Sequence, residues 1–127
     1  MKLRMKGNSL RFRLLKSEVL DLYRGGRVQE EIRFGRHFRL DKLIYALEHS
    51  EHFREVEVLH SPKEILVQVP SPLVENWATG EDVGIYIDIP LGDGDKLAVM
   101  IEKDFACLDR SDEDNRDTFE NPLCKAC

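Results

Sequence analysis

The sequence predicts a mainly β (α+β) fold: a pseudo-two-fold β-barrel made of two strand-turn-strand-helix-strand-strand repeats, with an acidic C-terminal tail. Three observations predict it. The phrase "DKLIYALEHS" beginning at Asp41 returns as "DKLAVMIEKD" at Asp95. Setting residue n against residue n+55 aligns further positions, and a fixed offset across several predicted elements points to an internal duplication. Finally, 127 residues with 42% apolar and 34% charged side chains have the size and balance of one globular domain.

Each element follows from its local pattern. Leu3 and Met5 alternate with Lys2, Arg4 and Lys6, which predicts a short strand with one basic face. "GNS" at 7–9 is turn chemistry, because Gly and Asn tolerate positive φ. Leu10, Phe12 and Leu14 alternate with Arg11 and Arg13 as a second strand. Ser17 is placed to cap a helix whose Val19, Leu22 and Tyr23 share a face, and Gly25-Gly26 ends it. "RVQEEIRF" and "KLIYALE" supply two more strands. Taken alone, the stretch from Asp41 to Phe53 also suits a helix with Leu43, Ala46 and Leu47 on one side; its match to "DKLAVMIEKD" favours a strand over 42–48 and a short helical turn at 49–53.

The second half follows the same plan. "REVEVL" (54–59) reads as a strand, 60–64 as a turn and "ILVQV" (65–69) as a strand. Ser71 is placed as a cap with Pro72 at the first helical position, and Leu73, Val74, Trp77 and Ala78 form an apolar stripe before Gly80. "VGIYIDI" (83–89) and "KLAVMIE" (96–102) flank a "PLGDGD" turn. In the n+55 alignment "LRFRL" meets "ILVQV", Val19 meets Val74, Gly25 meets Gly80, Val28 meets Val83, Ile32 meets Ile87 and Phe34 meets Ile89. A one-residue deletion then brings Asp41-Lys42-Leu43 onto Asp95-Lys96-Leu97.

The expected organisation is one duplicated barrel domain over 1–106, with repeat one at 1–50 and repeat two at 54–105, followed by a tail at 107–127. Each repeat alone would expose an apolar sheet face and unpaired edges, which mutual pairing removes. The helices would then plug the barrel ends, with Tyr23 and Trp77 in the core. Any edge left open would allow a homo-oligomer. No apolar run reaches the roughly 20 residues of a membrane span, and no apolar secretory stretch is seen, so a cytoplasmic location is expected.

The stretch "KGNSLRFRLLKSEV" resembles the opening of the AbrB/MazE swapped-hairpin regulators and antitoxins, and "ILVQVPSPLVENWATGEDVGIYIDI" resembles the same plan again. Members of that family pair two chains into a barrel, so the resemblance implies that one chain here imitates their dimer. Over its full length the sequence also resembles an uncharacterised bacterial family sharing "GNSLR.RL..SEV", "VP…W…VG" and "EKDF.CL…ED…F.NP". That second resemblance implies no function.

Net charge is −5, but unevenly spread. Residues 1–40 hold eleven Lys/Arg against four Asp/Glu, a balance of +7; residues 41–127 hold eight against twenty, a balance of −12. Such asymmetry points either to an anionic partner or to two halves that attract each other within the fold. The regulator resemblance implies anion contact through Arg4, Lys6, Arg11 and Arg13. The comparable second stretch offers Glu55, Glu57, Lys63 and Gln68, so the two-fold basic surface that duplex operators usually meet is not repeated. Nucleic acid is therefore one candidate partner among anions.

No phosphate loop, nucleophile elbow, HExxH or EF-hand pattern is present, and catalysis is not expected. The alternative chemistry lies in the tail. Cys124 and Cys127 form a terminal CxxC, and Cys107 is a third thiol, a set that would give a small metal-handling protein three zinc ligands. An inert tail and a redox pair are the competing readings. Phe119 is expected to dock on the barrel in either case.

Overall fold

A computed structural model describes residues 1–36, 41–105 and 116–120. The elements in chain order are β1 (Lys2–Met5), β2 (Ser9–Leu14), α1 (Lys16–Gly25), β3 (Arg27–Arg33) and β4 (Lys42–Ser50), then β5 (Glu57–Ser61), β6 (Glu64–Pro70), α2 (Ser71–Thr79), β7 (Gly84–Pro90) and β8 (Lys96–Lys103). The mainly β, α+β class is as the patterns predict, and the Asp41 stretch is a strand.

The strands do not close into a barrel. They form two four-stranded sheets, ordered β1-β2-β8-β7 and β3-β4-β6-β5. Two seams remain where edge strands meet without a hydrogen-bonded ladder. At the first, the Met1 ammonium sits on Glu18 and, at 3.2 Å, on Glu30, while Tyr45 Oη donates to the Met1 carbonyl at 3.4 Å. At the second, a groove of about 570 Å³ separates β5 from β7, lined by Val56, Val58, Leu73, Ile87 and Ile89 among others. An ion-paired Met1 lies at the first seam and an open groove at the second.

Each sheet combines the first hairpin of one half with the second hairpin of the other. Exchanging β1, β2, β3 and β4 with β5, β6, β7 and β8 maps one strand order onto the other. The registers follow suit: Lys2 faces Arg13 as Glu57 faces Gln68, and Ser9 faces Ala98 as Glu64 faces Ile44. Even loop bonds repeat. Ala98 N–H donates to Asn8 C=O at 3.1 Å, and Ile44 N–H to Lys63 C=O at 2.8 Å.

One pair of strands departs from the offset of 55. Arg27 faces Glu48, whereas Gly84 faces Glu102, so β7 answers β3 at an offset of 57. Val28 thus corresponds to Ile85, not Val83. The cause is the helix exit. Gly26 adopts the left-handed conformation (φ 85°) and turns directly into β3, while Gly80 is extended and residues 81–83 intervene before β7. A shift of two preserves the alternation of faces, so the core is unaffected.

The inward faces hold Phe12, Leu14, Ile85, Val99 and Ile101 from one sheet and Leu47, Val67 and Val69 from the other. Val19 and Leu22 of α1 and Val74 and Trp77 of α2 seal this core. Trp77 is fully buried, its Nε1–H donating to Val83 C=O at 3.1 Å, and Tyr23 is partly buried against the cluster. Where each β4/β8 pair member ends, a basic residue reaches a helix C-terminal carbonyl. His49 Nε2 donates to Tyr23 C=O at 3.0 Å while its Nδ1 lies 2.7 Å from Ser71 Oγ, and Lys103 Nζ donates to Gly80 C=O at 3.0 Å. These contacts satisfy carbonyls that the helices leave free.

Both expected caps sit one or two residues off. Leu15 is the N-cap of α1 and Pro70 that of α2, placing Ser17 and Ser71 inside the helices. Glu18 accepts the Leu15 N–H at 2.9 Å, and the rest of the α1 cap comes from the tail. Asp117, at φ 62°, accepts Lys16 N–H on its carbonyl at 2.8 Å and Ser17 N–H on its carboxylate at 2.9 Å, and the carboxylate also takes the Ser17 hydroxyl proton. Phe119 docks as expected: its N–H donates to Asp104 C=O at 2.8 Å and its ring stacks, tilted, on Phe105 at 5.8 Å. The second hairpin also starts later than predicted, with Pro62 and Lys63 as its turn, because Ser61 Oγ accepts the N–H groups of Lys63 and Glu64.

Candidate anion-binding face

Strand alternation builds this face. Because Phe12 and Leu14 point into the core, Arg11 and Arg13 must point out of the first sheet. Register then fixes their neighbours. One outward row runs Lys2, Arg13, Glu102, Gly84 across β1, β2, β8 and β7; the next runs Arg4, Arg11, Met100, Tyr86. Lys6 lies beyond β1, beside Ser9.

The structure therefore gathers Arg4, Lys6, Arg11 and Arg13 on one surface and adds Lys2. Two shallow depressions mark it. One of about 250 Å³ is lined by Lys2, Leu3, Arg4, Arg11 and Arg13, and one of about 180 Å³ by Arg4, Lys6, Ser9, Arg11 and Met100.

Countercharge is limited and shared. Glu102 Oε1 lies 3.2 Å from Arg11 Nε and 3.6 Å from Arg13 Nε. The 3.2 Å contact is out of hydrogen-bond alignment, and these two shielded atoms have no other hydrogen-bond partner among the described residues. Glu102 Oε2 accepts the Tyr86 hydroxyl at 2.9 Å. Burial and this carboxylate hold the Tyr86 phenol above its ordinary pKa, an effect that Arg11 and Arg13 partly offset. Lys2 Nζ lies 3.6 Å from the buried Asp104. Among the described residues no ion pair involves Arg4 or Lys6. The expected attraction between basic and acidic halves is thus realised at Glu102 and Asp104, but only in part.

Three contributors escape sequence reading: Glu102, Gly84 and Tyr86. Tyr86 reads as one more alternating strand residue, and only register reveals that it stands in the same row as Arg4 and Arg11. The equivalent face of the second sheet is chemically different. Positions matching Lys2, Arg4, Arg11 and Arg13 are Glu57, Leu59, Leu66 and Gln68, and Gln29 matches Tyr86.

Cys107, Cys124 and Cys127 lie outside the described residues, and among those that are described no cluster of His, Cys, Asp or Glu could hold a metal ion. No helix among them is long and apolar enough to cross a membrane.

A family model for a family of unknown function, DUF7009, matches residues 1–123. The chain belongs to DUF7009. Neither curated proteins nor solved structures give any match. The DUF7009 match spans both halves of the fold and runs past the docked Phe119, so the sheets, helices and helix-capping segment all lie within one family unit.

Proposed function

We propose that this DUF7009 chain is a non-enzymatic binding module of the cytoplasm whose outer first-sheet face, formed by Lys2, Arg4, Lys6, Arg11 and Arg13, holds an anionic partner. The observation that carries the reading is the register. Arg4 faces Arg11 and Lys2 faces Arg13, and like charges directly opposite one another destabilise a sheet. Two such pairs in succession, with Glu102 shared by Arg11 and Arg13 and Asp104 near Lys2, work against folding and are relieved when an anion binds. Local rules broken without structural gain are expected where function resides.

The matching registers of the two halves support their origin as copies of one unit, and the exchange of hairpins between sheets supports the kinship with swapped-hairpin regulators. On this reading the copies have diverged, with basic chemistry kept on one face only.

The experiment is calorimetric titration with inorganic polyphosphate at 50 and 200 mM salt. Binding that weakens by about tenfold or more between these conditions is expected from counterion release. An Arg4→Glu/Lys6→Glu double variant, changing the two cations with no ion pair among the described residues, should lose it while keeping the wild-type melting temperature. Absence of salt-sensitive binding to polyphosphate and to oligonucleotides alike would remove the proposal.

A further inference from the structure

The outward face carries an aromatic platform as well as charge. Gly84 lies beside Glu102 in one row, and Tyr86 beside Met100 in the next. A Cβ on Gly84 would meet Tyr86 Cζ and Oη at 3.0 Å, so the ring lies back along its own strand over the glycine. The hydroxyl is held by Glu102, which Arg11 and Arg13 flank. The hydroxyl end of the ring packs over the glycine, and Tyr86 is 54% exposed. The ring is thus oriented before any partner arrives.

From this arrangement we infer that the anionic partner is a single-stranded nucleic acid, with a base stacked on Tyr86 and the backbone following the cations. The inference rests on the proposed anion-binding reading and narrows it. Stacking platforms beside a basic track are how proteins hold unpaired strands, because every base offers a π-face while phosphates supply a uniform charge. Across three strand spacings of about 4.8 Å, Tyr86 stands roughly 14 Å from Arg4. The cations therefore lie to one side of the ring, where a backbone leaving the stacked base would run.

A duplex fits this face poorly. Its bases are already stacked on each other, so an exposed ring gains nothing from them. The pseudo-two-fold mate of this surface carries Glu57, Leu59, Leu66 and Gln68, so the chain offers no matched second basic half for a palindromic site. RNA and DNA share the required chemistry; the titration below includes both.

The test is fluorescence anisotropy with labelled ten-nucleotide single strands of RNA and of DNA, a duplex of the same length, and polyphosphate as competitor. Wild-type protein is expected to prefer either single strand over duplex by about tenfold or more. Tyr86→Ala should weaken single-strand binding roughly 5- to 150-fold, the range for one lost base stack, and change polyphosphate binding by much less. Tyr86→Phe, which keeps the ring, should stay near wild type. Circular dichroism melting confirms that each variant folds. Duplex binding as tight as single-strand binding, or Tyr86→Ala without effect, would overturn the inference while leaving the anion-binding proposal intact. Failure of every anion to bind would overturn both.

Discussion

The Tyr86 ring covers Gly84 two residues before it on the same edge strand, and the glycine is what allows this. A Cβ at position 84 would stand 2.7 Å from Ile101 C=O on β8 and 3.0 Å from the ring. The first neighbour is backbone in a central strand and cannot give way cheaply.

Gly84→Ala should therefore destabilise the fold by about 1–3 kcal/mol through overpacking, and tilt Tyr86 off the sheet. Urea denaturation reads the first effect and Tyr86 fluorescence or NMR ring shifts the second. An alanine variant as stable as wild type would show that the strands separate there without cost.

Glu102 competes with any incoming anion for Arg11 and Arg13. Glu102→Gln is accordingly expected to tighten polyphosphate binding several-fold. Burial raises the Tyr86 phenol most and the Glu102 carboxylate adds to it, so removing that charge should move its titration part of the way down toward 10.0. Ultraviolet titration of tyrosinate follows this, and an unmoved midpoint would dissociate Tyr86 from Glu102.

Asp117 ties the tail to the start of α1. Asp117→Ala removes a carboxylate from two donors on Ser17 and places a Cβ-bearing residue without capping ability at φ 62°. A loss of about 0.5–2 kcal/mol is expected, as for other N-cap deletions, measured by chemical denaturation. Asp117→Asn, which can still accept one bond and tolerates positive φ, should recover much of it.

Lys103 is buried, with its ammonium over the Phe119 ring at 5.4 Å, and burial lowers its pKa from 10.5 against the opposing pull of Asp82 and Glu81. The unfolded chain holds this proton more tightly than the folded one, so stability should climb as pH rises from the lowered folded value toward 10.5. Lys103→Met should flatten that climb relative to wild type. Parallel pH profiles for the two proteins would contradict the assignment.

Much of this architecture was legible in the sequence because it rests on local alternation. The order of the eight strands and two helices among the described residues, the burial of Trp77 and the basic outward positions at Arg11 and Arg13 follow from residue periodicity and from aligning one half with the other. What escaped depends on distant contacts. Beyond the local Glu18–Leu15 bond, the α1 cap is supplied by Asp117, 100 residues from Ser17, which the "LLKSEV" neighbourhood does not show. Barrel closure escaped because whether two edges pair is a tertiary matter that strand propensity does not encode: one seam holds the Met1 ammonium against Glu18 and Glu30, the other an open groove. The offset of 57 at β7 was hidden by an offset of 55 that also aligned apolar residues, since a two-residue slip leaves alternation intact. Tyr86 and Glu102 joined the basic face only through register.

Anion binding to the outer face of the first sheet is the central proposal. Amide chemical-shift mapping by ¹⁵N–¹H correlation NMR during a polyphosphate titration at low salt tests it most directly. Perturbations should concentrate on Lys2 to Arg13 and on Tyr86, Met100 and Glu102, and vanish as salt is raised. Saturating shifts centred on Glu57, Leu59, Leu66 and Gln68, or no shifts at all, would contradict it.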